Sequence, residues 1–119
     1  MRKPRVWSTE PGGMDALEYE LLQEKAWNLM RLGNRLRQAL DALQAFDAER
    51  AGPAERGGED AERREALLAE AGEALWYYVV QREVSGMRDN ASVMREMGVP
   101  REVQLRMGLA STRRKTGPG

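Results

Sequence analysis

The chain has 119 residues, 41% hydrophobic and 32% charged, the balance of one ordinary globular domain rather than a disordered or membrane-embedded chain. It has no cysteine and no histidine, which removes disulfides, thiol chemistry, zinc sites built on those side chains, Ser-His and Cys-His nucleophile pairs and the Glu-x-x-His ligands of di-iron bundles. Formal net charge is zero but uneven: residues 1–10 carry 3 basic and 1 acidic side chains, residues 11–80 carry 8 and 14, and residues 81–119 carry 8 and 4, so both ends are basic and the middle is acidic.

The opening MRKPRVWSTEPGG has turn-forming composition and is expected to form a flexible basic arm over residues 1–13. It lacks the apolar stretch and small-residue cleavage site of a secretory signal, so the expected location is the cytoplasm. The longest apolar run, LWYYVV, has six residues, far short of the roughly 20 that a membrane-spanning helix needs.

A first helix is expected over about residues 14–50, some 54 Å long at 1.5 Å per residue, with Asp15 near its positive end. Leu22, Leu29, Leu36 and Leu43 recur every seven residues, and Leu32, Ala39 and Phe46 repeat with the same period, offset by three. With Ala26, Gly33 and Leu40 they form one apolar stripe, the coiled-coil-like pattern of a helix packed along its length on another. Lys25 interrupts that stripe near its N-terminal end.

The segment AGPAERGGED (51–60) reads as a loop, and a second helix is expected over about residues 60–86, closed by Gly86. Leu67, Leu68, Ala71, Gly72, Leu75, Tyr78, Val79 and Arg82 share one of its faces. An antiparallel hairpin then brings Phe46 near Arg63 and Arg64, Leu36 near Gly72 and Leu75, and Leu29 near Val79 and Arg82. Arg82 would be charged within the seam, so an ion pair with Glu24 is expected, with Glu83, Glu20 and Glu18 as other candidates; the alternative is an Arg82 that extends to water.

Trp76, Tyr77, Val80 and Val84 fall outside the face that meets the first helix, so a second layer is needed. Two short C-terminal helices are expected to supply it, over about residues 90–97 (Val93, Met94, Met97) and about residues 100–107 (Val103, Leu105, Met107), with Pro100 suited to a first turn. They are expected to fold back on the Trp76 and Val80 side. The expected fold is therefore all-α: one helical domain over residues 14–108, a long antiparallel hairpin plus two short helices, followed by a flexible basic tail over residues 109–119.

Trp27 does not fit the hairpin seam. It lies about 160° around the helix from Leu29, in line with Glu20, Glu24, Arg31 and Asn34, and Trp with Arg on an otherwise polar face is a pattern of protein interfaces. The alternative is that Trp7 of the arm, or the C-terminal helices, cover it. The carboxylates alternate with cations as on a solvated helix face, and GPAERGG lacks the Gly-Lys-Ser/Thr ending of a phosphate loop. No catalytic, cofactor-binding or metal-ligating residue is singled out, and an enzyme is not expected.

The favoured reading is a non-catalytic helical interaction protein, self-associating or binding another protein, with a homodimer burying the back of the first helix around Trp27. The alternative is a small nucleic-acid-binding regulator using Arg101, Arg106, Arg113, Arg114 and Lys115. Residues 90–108 have the outline of a helix-turn-helix, but Met94 stands where a small residue is usual and Gln104 where an aliphatic one is usual, so core packing explains the pair better.

The stretches LEYELLQEKAWNLMRLGNRL (17–36), EALWYYVVQREVSGMRD (73–89) and MREMGVPREVQLRMG (94–108) resemble a family of short bacterial proteins known only as a domain of unknown function. The resemblance covers about residues 14–108. It implies the helical fold and, because that family has no assigned activity, it carries over no site residue.

Overall fold

The computed structural model describes residues 15–50 and 57–108. The expected basic arm with Trp7 and the tail with Arg113, Arg114 and Lys115 lie outside them. The described residues form four helices and no strand: α1 (Ala16–Glu49), α2 (Gly58–Val84), α3 (Asn90–Met97) and α4 (Arg101–Leu105). The expected helix boundaries hold within two residues. The last helix is shorter than expected because residues 106–108 leave it as a turn.

Each start and stop has a local cause. Asp15 caps α1 by accepting the Glu18 backbone N–H at 2.8 Å, which satisfies one of the free donors of the first turn. Glu59 and Asp60 occupy the first turn of α2, where the helix dipole favours negative charge. That helix ends at Gly86, whose φ of 90° lets the Met87 N–H return to the Arg82 carbonyl at 2.8 Å. Asp89 then caps α3, accepting the Ser92 backbone N–H at 3.1 Å and its hydroxyl at 2.7 Å.

The two long helices pack antiparallel, α1 against α2. Toward the loop-closed end the Arg64 guanidinium donates to both Asp47 carboxylate oxygens at 2.8 and 2.9 Å. Halfway along, Arg35 lies 3.4 Å from Glu70 and 3.6 Å from Glu73. Gly33 is level with Tyr78, whose ring would be 3.2 Å from a Cβ there. The core joins Leu36, Leu40 and Leu43 of α1 to Leu68, Ala71, Leu75 and Val79 of α2, and closes with Val99 and Val103. Leu36, Leu75 and Val103 have no exposed surface, and burial of such a side chain contributes about 2 kcal/mol.

The C-terminal pair therefore completes the core, but not where expected throughout. The turn after α4 reaches Trp76, which Gly108 approaches, whereas Val80 stays 36% exposed. The Arg106 backbone crosses α2 at Gly72, two turns nearer the loop, so the layer stops short of Val80.

The expected Arg82–Glu24 ion pair does not form. Arg82 turns instead into the α2–α3 connection, donating to Asn90 Oδ1 at 3.3 Å and to the Asp89 carbonyl at 3.2 Å. These local acceptors are eight and seven residues away in sequence, while Glu24 is on an exposed part of α1. A nearby bond inside a turn costs less side-chain ordering than a reach across the helix pair.

Candidate functional site

The unequal lengths of the two long helices leave one end of the hairpin open. Gly33 is level with Tyr78, and six residues further along each antiparallel helix Trp27 is level with Val84, the last residue of α2. Residues 16–26 of α1 therefore project past the end of α2, by about 17 Å. Every side chain in that stretch is exposed.

The seam itself is interrupted there. Leu36 is fully buried, whereas Leu22, on the same stripe, is 51% exposed and its neighbour Leu21 is 50% exposed. Leu29 and Leu32 are intermediate. Leu17, Tyr19, Trp27 and Met30 are also exposed, and Val84 and Met87 add apolar surface at the same end. Most of the large exposed apolar side chains of the described residues are therefore at this end of the hairpin, on more than one face of α1.

The proposed back-face set lies on this region and just beyond it. Glu20, Glu24, Trp27, Arg31 and Asn34 are all exposed, Trp27 by 62%. None of the described C-terminal residues covers Trp27. Arg31 donates to Asn28 Oδ1 at 2.7 Å, a contact within the same helix that leaves its direction outward. The exposed Leu22 of the seam and its neighbour Leu21 are not among the residues expected at an interface. The signal that finds them is length: an antiparallel hairpin of a 34-residue and a 27-residue helix joined at one end must leave the longer one unmatched at the other.

Two cations near the other end, Arg64 and Arg106, make contacts within the fold. Arg64 joins three helices, through Asp47 on α1 and through Glu102 on α4 at 2.8 Å. Hydrogen bonds to Asp47 and then to Glu102 hold its guanidinium above the ordinary arginine range. Arg106 donates to both Glu65 oxygens at 2.7 and 2.8 Å and to the Glu102 carbonyl at 3.0 Å, and the Glu65 bonds raise its pKa in the same way. Arg106, one of the candidate nucleic-acid contacts, is thus engaged within the fold. Arg101 is exposed.

A groove of about 460 Å³ lies between α1 and the α3–α4 connection, lined in part by Arg37, Leu40, Leu43 and Pro100. Arg37 donates to the Met97 carbonyl at 3.2 Å, so the charge bordering the groove is already partnered. Among the described residues no group of three or more carboxylates is arranged to hold a metal ion. No described helix is long and apolar enough to cross a membrane.

Fold and surface together define a class: a small all-helical protein built on an unequal antiparallel hairpin, its core closed at one end by a short C-terminal helix pair and its apolar seam exposed at the other. Residues 7–115 match the model of the family of unknown function DUF6665, and the chain belongs to that family. Comparison with curated proteins and with solved structures gave no match.

Proposed function

We propose that this chain is a non-catalytic helical interaction domain of the cytoplasm that self-associates through the projecting end of α1. One observation carries the reading: the same leucine stripe that is fully buried at Leu36 is half exposed at Leu22. A stripe that continues, through Leu22, beyond the reach of its own partner helix suits a second helix. The absence of cysteine and histidine from the chain removes the thiol nucleophile and the imidazole base, which favours binding over catalysis.

Sedimentation equilibrium of the intact protein over a hundredfold concentration range tests this. The expected result is a mass that rises with concentration toward twice that of one chain. A mass of one chain at every concentration refutes self-association.

A further inference from the structure

We infer that the partner is a second copy whose α1 end pairs antiparallel with this one, about a two-fold axis between Leu21 and Leu22, so that Lys25 of each chain meets Glu18 of the other. The inference rests on the self-association proposed above and adds its orientation and register.

The seam of α1 runs through Glu18, Leu22, Lys25, Leu29, Leu32, Leu36, Ala39, Leu43 and Phe46, alternating steps of four and three. Its two charged members have opposite sign, and both fall in the exposed stretch. Neither makes an ion pair with any described residue. In an isologous pair, residue i meets j wherever j meets i. An antiparallel axis midway between positions 18 and 25 therefore sets each Lys25 within a turn of the partner's Glu18, twice. A parallel pair would instead put Glu18 on Glu18 and Lys25 on Lys25 within the seam, which is unfavourable.

A second observation gives the same axis without reference to charge. The projecting stretch runs from Ala16, where α1 starts, to Trp27, level with the end of α2. The residues past that level, 16–26, have their midpoint at Leu21, within one residue of that axis. With the axis there, the partner's helix starts where this chain's α2 stops, so it extends the seam in place of α2 instead of colliding with it. Its N-terminus then faces the C-terminus of α2, a favourable dipole arrangement. In a parallel pair both hairpin bodies would crowd one end, where α2 already occupies the seam.

The chain has no cysteine, so single cysteines report geometry directly. Under mild oxidation Leu22→Cys, beside the axis, is expected to give a covalent dimer. Leu29→Cys is not, because its copies would be some 22 Å apart along the helices, beyond disulfide reach. Lys25→Glu is expected to weaken association at least tenfold by sedimentation, and adding Glu18→Lys to the same chain restores it. Trp27→Ala, on the opposite face of α1, changes association by less than about twofold.

A Leu29→Cys link as efficient as that of Leu22→Cys overturns the antiparallel pairing. A dimer that ignores the charge exchange, or one lost on Trp27→Ala, assigns the interface to another face and overturns the inference while self-association stands. A monomer at every concentration overturns both.

Discussion

Gly72 is where the C-terminal turn presses closest on the hairpin, and replacing it with alanine separates two opposed effects. In the middle of a helix an alanine is favoured over glycine by about 1 kcal/mol. At Gly72, however, the added Cβ would sit 2.7 Å from the Arg106 carbonyl oxygen and 2.9 Å from its carbon, so the chain has to move by roughly half an ångström. What it meets is backbone, anchored by the Arg106 side chain on Glu65 and by Val103, which has no exposed surface. Lifting that turn costs about 2–3 kcal/mol as overpacking does. The net expectation for Gly72→Ala is a loss of about 1–2 kcal/mol, or a Tm lower by roughly 5–10 °C for a domain of this size. Gly33→Ala is the control: its Cβ would meet only the Tyr78 ring, at 3.2 Å, and that ring can shift. It is expected to be neutral or stabilising by up to about 1 kcal/mol. Urea unfolding followed by circular dichroism measures both. Gly72→Ala as stable as wild type would refute the claim that α4 is held against α2 at this position.

Two further perturbations address how the helices are joined. Arg64→Met removes the cation shared by Asp47 and Glu102; with the Arg64 side chain 23% exposed, screening limits the loss to about 1–2 kcal/mol, and urea unfolding should show that loss shrinking in 1 M salt. Asp89 caps α3, and the Ser92 hydroxyl and then the Ser92 N–H hold its carboxyl below the ordinary value of 3.8. A carboxyl with a lowered pKa adds stability that is complete above the ordinary value and disappears as pH falls through the lowered one. The protection factor of the Ser92 amide should therefore fall in the wild type as pH drops through the lowered pKa, whereas in Asp89→Ala it should be low already at neutral pH; equal protection of the two at neutral pH would show that the cap contributes nothing.

Local residue patterns sufficed for much of this architecture. The seven-residue leucine period over residues 22–43 indicated the long helix and Pro100 the start of the last one, because caps and periodicity act within a few residues of themselves. Direction around a helix also placed Trp27 away from the seam. Arg82 was misplaced because its choice between Glu24 and the acceptors at Asp89 and Asn90 depends on how the chain turns after Gly86, which helical periodicity does not encode. Arg106 looked like a surface cation until the fold brought Glu65, 41 residues away, within hydrogen-bonding distance. The stripe is apolar from Leu29 to Phe46, and past Lys25 it resumes at Leu22. Only the tertiary structure decided where its partner ends, because that depends on the register of α1 on α2 and on the C-terminal helices folding toward the loop, both set by contacts between residues far apart in the chain.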